Sequence, residues 1–441
     1  MFVIVVPTSL SFTFSKPPSK APERYVIKNN RNEAPCTFML HIVALSFEHR
    51  VGNTIDAVYP PFPDEPYISE WNLGLPFIAI PDKAHDACSS IIQFTLPNPN
   101  RPLGCDFGIA AYRAIDASEL SKDPSIIRNQ VQKAICVISS VPLFGELEKP
   151  LKSALYDNFS NLVEALPNIF NSLSGLVENR VDFSGVSYTT LFQALGVNVI
   201  TVMKALMLQM RVLIFADNSE MVSKMAVAIA SLLPCYLSTS NEEFPFNFLA
   251  KNQHKFCFAP YVPLQFTDSL NTKDIKSALM GTCSELFMLQ KIVDYDILIN
   301  CKTLPATLTG KRLQILSPTE NESKFMDNVL RYMKKNWAKP DTPEWLRQKF
   351  REWFNSLFTS ILCVRHIHEN VPAFARIYLD WENPKEFFGE KFITKLLRNK
   401  DVDKIINENK KDIFEQINEI LLKKKVTVLG ELFKKIKKEL F

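Results

Sequence analysis

The chain has 441 residues, too many for one ordinary compact domain, and its 46% hydrophobic and 22% charged residues are those of a globular protein. Its net charge of +4 is lopsided: residues 423–441 hold seven lysines and two glutamates, a net of +5, so the other 422 residues sum to −1 and give no bulk case for nucleic-acid binding. Only 12 residues are glycine, under 3% against a usual ~7%, which speaks against a glycine-rich phosphate cradle.

The longest apolar runs, FVIVV at 2–6 and AVAIASLL at 226–233, fall well short of the roughly 20 residues that span a bilayer. The first fifteen residues are apolar but carry no basic stretch and no small-residue cleavage site, so a secretory signal is not expected. Nine cysteines stand at 36, 88, 105, 136, 235, 257, 283, 301 and 363, none in a C-x-x-C pair. An odd, unpaired set lying partly within apolar runs fits a reducing, cytoplasmic setting rather than a disulfide framework or a zinc ribbon.

In chain order, residues 1–36 mix Pro, Ser, Lys and Asn and are expected to be irregular. Strands are expected at FMLHIVALSF, TIDAVYP, PFIAIP (76–81), SIIQFTL (90–96), FGIAAYRAI (107–115) and KAICVISSVP (133–142). A helix is expected to open at DPSIIRNQVQ, with Asp123 as cap and Pro124 at its first position. The first 145 residues thus form an α+β unit with a mainly antiparallel sheet. ELEKPLKSALYDNFSNLVEAL and YTTLFQALGVNVITVMKALMLQ have apolar residues at helical spacing. RVLIFAD (211–217) is a compact strand, Asn218-Ser219 opens a helix, and KFCFAPYV and YDILINC are two more strands, so this region is an α/β layer. From Ser317 the pattern is helical, including TENESKFMDNVLRYMKKNW and a helix with Thr342 as cap and Pro343 in its first turn.

The usual chemical motifs do not occur. There is no G-x-G, and the one Gly-Lys pair, Gly310–Lys311, has Pro305 where a phosphate loop needs its first glycine. The histidines, at 41, 49, 85, 254, 366 and 368, show no H-E-x-x-H spacing, so no metal and no cofactor are expected. No G-x-S-x-G elbow and no Cys–His arrangement appear. LPFIAIPDKAHD (75–86) sets Asp82, His85 and Asp86 in one corner, but without a nucleophile; it reads as a turn, with Asp82 capping backbone groups.

Several stretches, in order, resemble a known family. EWNLGLPFIAIPDKAHD, FGIAAYRAI and VQKAICVISSVPLFGELEKPL resemble the upstream module of DENN proteins, in the late-secretory Avl-nine branch. KALMLQMRVLIFADN, in which a helix feeds a strand through Arg211, and FCFAPYVPLQFTDSL resemble the central module. SKFMDNVLRYMKKNW and EWLRQKFREWFNSLFTSIL resemble the downstream helical module. The resemblance covers about residues 38 to 400. It implies a leader at 1–36, a longin-like lobe at 37–148, a central α/β lobe at 149–305, a helical module at 306–400 and a tail at 401–441. Where family members often carry a long polar insertion, this chain has only residues 238–255.

What the resemblance implies is exchange of guanine nucleotide on a Rab-family GTPase in late secretory or recycling traffic, without covalent chemistry and without a small-molecule substrate of its own. A non-catalytic Rab effector or adaptor is the alternative, and an arginine-finger activator, through Arg113 or Arg180, a third. Phe107, Tyr112 and Arg113, in a family-like strand, are candidate GTPase contacts, with lobe packing their plainer role. Asp217 ends a strand, where crevices form in α/β sheets, and equally suits a helix cap. In the tail, apolar residues 429, 432, 433, 436 and 440 have helical spacing. Lys434, Lys435, Lys437 and Lys438 gather around the other face, with Lys423, Lys424 and Lys425 just upstream. Such a helix suits an anionic membrane surface or a packed protein partner.

Overall fold

A computed structural model describes residues 25–26, 38–82, 88–101, 105–116, 130–177, 186–233, 256–266, 277–289, 293–337, 339, 342–366 and 387–399. Six strands, β1 (Tyr25–Val26), β2 (Met39–Glu48), β3 (Gly52–Tyr59), β4 (Ser89–Pro97), β5 (Cys105–Asp116) and β6 (Gln130–Ser139), form one sheet in the order β1-β3-β2-β6-β5-β4. Every pairing is antiparallel except that of the short β1 with β3. Side chains alternate between two buried faces, which is why these strands are nearly continuous apolar runs. Ile42, Ala44, Ile109, Ala111, Ile135 and Val137 face a core shared with helices α2 (Phe144–Asp157) and α3 (Leu162–Val177). Val43, Leu45, Ala110, Tyr112, Cys136 and Ile138 face the other way, onto α1 (Ile68–Ala79).

The second unit begins with α4 (Thr189–Leu195), a 3-10 turn at Gly196–Asn198 and α5 (Val199–Met207). This 19-residue stretch is long and apolar enough to cross a membrane, yet most of it is buried inside the fold, as in a core helix. Next come β7 (Arg211–Phe215), α6 (Ser219–Leu232), β8 (Phe256–Ala259), β9 (Ser277–Thr282), α7 (Leu286–Leu289), β10 (Ile297–Asn300) and β11 (Thr307–Gly310). The sheet order is β11-β10-β7-β9-β8, parallel throughout except for β11. Gly281 lies where β9 is squeezed: a Cβ there would stand 2.2 Å from both the Pro260 carbonyl oxygen and Val222 Cγ1.

Helices α8 (Leu313–Leu316), α9 (Glu320–Asn336), α10 (Thr342–His366) and α11 (Glu390–Leu397) close the described chain. Phe350, Trp353, Phe354 and Leu357 of α10 join the same core as α2–α6. One buried cation ties this layer down. Lys204 of α5 is fully buried and donates to Glu322 Oε2 at 2.5 Å and to the Phe388 carbonyl at 2.9 Å. Glu322 also completes a capping box on α9, accepting from the Thr319 amide while Thr319 Oγ1 accepts from the Glu322 amide. Burial holds the Lys204 ammonium below its ordinary value and the Glu322 carboxyl above its own, and each is opposed by the other's charge.

The expected α+β unit followed by an α/β layer and helices is what the structure contains, with specific corrections. PFIAIP is not a strand but the end of α1. Ile68, Trp71, Leu75 and Ile78 are spaced for one helical face, and that period starts upstream of the window that Pro76 and Pro81 bracket. Of the helix expected at 123–132, Gln130–Gln132 belong to β6 and the rest lies outside the described residues. Tyr25–Val26 is a short strand within the stretch expected to be irregular. Strand β9 was not expected, and β11 stands at the head of the 306–400 stretch expected to be helical, a stretch in which α11 falls as expected. The Thr342 hydroxyl donates to the Asn336 carbonyl, tying α10 back to the end of α9.

Three variants test these joints. Lys204→Ala leaves Glu322 buried beside an empty site and costs about 3–5 kcal/mol in chemical denaturation, whereas Lys204→Met with Glu322→Leu recovers most of that loss. Gly281→Ala forces β9 off the Pro260 carbonyl, and is expected to leave little folded protein by circular dichroism.

Candidate functional site

The two sheets meet along a seam. Strand β4 is the outer strand of the first sheet, so alternate N–H groups on its free side have no ladder partner. Helix α6 supplies one. Its amino end is fixed by Asn218, whose side-chain oxygen accepts from the Met221 amide at 3.0 Å. Spacing along the helix then brings polar residues to β4: Glu220 Oε2 accepts from the Ile91 amide (3.0 Å) and Ser223 Oγ from the Gln93 amide (3.2 Å). Ser90 and Ser219 share a buried hydroxyl contact at 3.1 Å, and Thr95 donates to the Phe258 carbonyl of β8 (2.9 Å). Lys224, one turn on, bridges Glu220 and, across the seam, Glu148 of α2. Burial lowers the Lys224 ammonium, but the two carboxylates outweigh it and leave the group above its ordinary value.

A second joint lies at the end of α1. The Asp82 amide donates to the Tyr261 hydroxyl (2.8 Å), its Oδ2 accepts from the Leu264 amide (3.0 Å), and its carbonyl accepts from the Cys283 thiol (3.5 Å). Desolvation, with the neighbouring Cys283 and Asp82 charges, holds the Tyr261 phenol well above its ordinary value, so it stays a neutral donor and acceptor. Within the corner at 75–86, Asp82 is therefore a structural latch. Asp82 caps backbone groups as expected, but those of a segment about 180 residues away. His85 and Asp86 lie outside the described residues.

The other side of the site is the carboxyl end of the parallel sheet. The chain runs from β7 outward to β8 and β9 and then crosses to β10, so the direction of winding reverses between β7 and β10. Ligands of open α/β sheets favour such reversals. Asp217 follows β7, and Lys302 follows β10; both are exposed, and Lys302 pairs with Glu285 at 2.6 Å. The Lys302 ammonium is raised first by that bond and also by the Asp217 charge.

The sequence-derived candidates divide. Phe107 and Tyr112 are each 1% exposed, on opposite faces of the first sheet, and pack rather than present a surface. Arg113 is half-buried, its guanidinium 3.8 Å from the centroid of the exposed Tyr156 ring and 5.6 Å from that of Phe159. Asp217 does not cap α6, since Asn218 does. Register places both candidates near the Ser90–Ser219 contact: Arg113 pairs with Ser89, which adjoins Ser90, and Asp217 is two residues before Ser219. The two surface candidates, one from each lobe, thus flank one end of the seam. Arg180 and the tail lysines lie outside the described residues. Glu220, Ser223 and Tyr261 were missed; the polar trio Ser219, Glu220 and Ser223 in a largely apolar helix was the only signal for the first two.

No cluster of metal-ligating side chains occurs among the described residues. Cys105, Cys257 and Cys301 are buried, and desolvation pushes each thiol up to about 12, which makes them poor nucleophiles. What the arrangement offers is a joint of buried polar bonds with an exposed rim of mixed charge and an aromatic ring.

A family profile described as transport protein Avl9 matches residues 39–244 and 243–361. The late secretory pathway protein avl9 of Schizosaccharomyces pombe is 25% identical over 363 residues, covering 73% of this chain and 76% of its own. The late secretory pathway protein AVL9 of Saccharomyces cerevisiae is 24% identical over 392 residues, covering 73% of this chain and 51% of its own.

The seam yields a direct expectation. Glu220→Ala with Ser223→Ala strips the acceptors from two edge amides and costs about 2–4 kcal/mol in denaturant unfolding, with hydrogen exchange rising first at Ile91 and Gln93. An unchanged exchange rate at those two amides would show that α6 does not seal the edge.

Proposed function

The chain belongs to the transport protein Avl9 family, and on that footing we propose that it works in the late secretory pathway as an exchange factor for a Rab-family small GTPase. The relatives named for that pathway support the cellular setting. The observation that carries the molecular reading is the seam. It joins two lobes through buried polar bonds and holds Arg113 and Asp217, one from each lobe, at the same end.

The mechanism is mechanical. Exchange needs a surface that binds the nucleotide-free GTPase better than the GDP-bound form, because only differential affinity moves such an equilibrium. A stiff two-lobed rim meets that need: a GTPase whose switch segments bend to fit it loses its hold on the nucleotide. GDP leaves, and GTP refills the site by mass action. Shifting the GTPase from 1:99 to 99:1 takes about 5.5 kcal/mol of differential binding, within reach of a few well-buried contacts. No phosphate loop, metal or nucleophile is required of the exchange factor. The lysine-rich tail at 401–441 would add a membrane or partner contact.

The alternative is an effector or adaptor that binds the GTP-loaded GTPase. The burial of Phe107 and Tyr112 favours keeping it, because it leaves fewer candidate side chains to grip a partner. An arginine finger at Arg113 fits less well, since its guanidinium is already stacked on the lobe's own Tyr156 ring.

Release of a fluorescent GDP analogue from a panel of Rab proteins tests the reading. One Rab is expected to release faster in proportion to added protein. Arg113→Ala and Asp217→Ala are each expected to slow that release by about tenfold, the loss of one ~1.4 kcal/mol contact. If no Rab responds, yet a GTP-loaded Rab binds the folded protein, it is an effector instead.

A further inference from the structure

Helix α9 has one buried stripe, Glu322, Met326, Val329 and Met333, which holds it to the core. The opposite flank of its carboxyl half is of one charge. Between residues 328 and 339 stand Arg331, Lys334, Lys335 and Lys339, with no acidic residue among them. All four are exposed. None has an ion-pair partner among the described residues, and the nearby acids on α10 are engaged locally: Glu344 with Arg347 and Glu352 with Lys349. At the end of the helix Trp337 is 66% exposed, the most exposed large apolar side chain among the described residues. It is followed by Lys339, while the neighbouring Tyr332 and Trp345 rings stack on each other at 3.7 Å and leave the Trp337 indole as the projecting one.

We propose that this end of α9 is a membrane-docking surface that takes an anionic phospholipid bilayer, with Trp337 seated at headgroup depth and Arg331, Lys334, Lys335 and Lys339 facing the lipid phosphates and carboxylates. The helix macrodipole accounts for lysines in the last turn. It does not account for Arg331 a turn earlier, for Lys339 beyond the helix, or for a large indole left in water. An indole with an apolar body and a polar N–H suits the membrane interface, and a cluster of cations around it suits an anionic leaflet. Each cation held near such a surface raises partitioning by about fivefold. The surface is independent of the exchange reading, since it is built from α9 and the residues just after it, and it is distinct from the lysine-rich tail.

The test is co-sedimentation of the full chain with vesicles of phosphatidylcholine, alone or mixed with phosphatidylserine. Binding is expected to the mixed vesicles only and to fall as salt rises. Lys334→Glu with Lys335→Glu is expected to weaken it by at least about tenfold, and Trp337→Ala by about fivefold, with circular dichroism unchanged because all three side chains are exposed. Reversing Lys434, Lys435, Lys437 and Lys438 to Glu in the full chain separates the two surfaces. If that variant alone loses vesicle binding, or if the protein binds both vesicle types equally, the proposal is overturned. If vesicles do not bind while soluble polyglutamate does, through the same α9 lysines, the surface recognises an acidic protein and the lipid assignment falls.

Discussion

The downstream helices are held by one buried charge. Lys204 leaves the carboxyl half of α5 and meets Glu322, at the start of α9, and the Phe388 carbonyl, just ahead of α11. These groups are 118 and 184 residues away in sequence. An ammonium cannot remain buried without a counter-charge, so wherever Lys204 is placed by the core of α4–α6, Glu322 must follow. Because Glu322 is also the capping-box residue of α9, the pair fixes where that helix starts as well as where it docks. The Lys204 ammonium also lies 5.0 Å from the Phe392 ring centroid, which draws α11 into the same node.

The seam between the sheets follows a different logic. An outer strand with free amides invites pairing with another chain, and this fold covers its edge with a helix rather than with another strand. A strand would have extended the sheet without constraining its neighbour. Side chains of a helix bind at two or three points and so fix both the distance and the tilt of α6 against β4. Asp82 and Lys224 add further fixed points. The lobes are thus joined by polar bonds satisfied away from water, which act at particular atoms, as well as by apolar packing, which tolerates sliding. A surface assembled from both lobes has a defined shape for that reason, and the exchange reading depends on that property.

Exposure separates the functional candidates from the scaffold. Phe107 and Tyr112 stand in a stretch that resembles a family motif, yet their rings fill the two faces of the first sheet. A motif in a buried strand reports packing as readily as binding. Arg113, next along the strand, is the residue that reaches the rim, and it does so through Tyr156 of α2 and Phe159 of the α2–α3 connection. Trp337 and the α9 cations are the converse: no motif marks them, and they stand out because the buried stripe of the same helix turns them outward.

By itself the sequence determined the class of the fold and most of its elements, because alternation and helical spacing are local properties that a chain carries wherever it is. The strands at FMLHIVALSF, SIIQFTL, FGIAAYRAI and RVLIFAD could be read this way, as could both long helices after Ser317. The T-x-x-E of the α9 capping box was there to read as well. Local reading failed where a window was too short for its period. PFIAIP, cut from α1 by its prolines, passed for a strand, and six-residue β9 went unnoticed in the middle of its sheet. Only the tertiary structure decided which polar residues matter to the joint. Asp82 with Tyr261, Glu220 with Ile91 and Lys204 with Glu322 are each separated by more than a hundred residues. No spacing rule connects residues that far apart; burial does, because a polar atom removed from water must find its partner wherever the fold brings one.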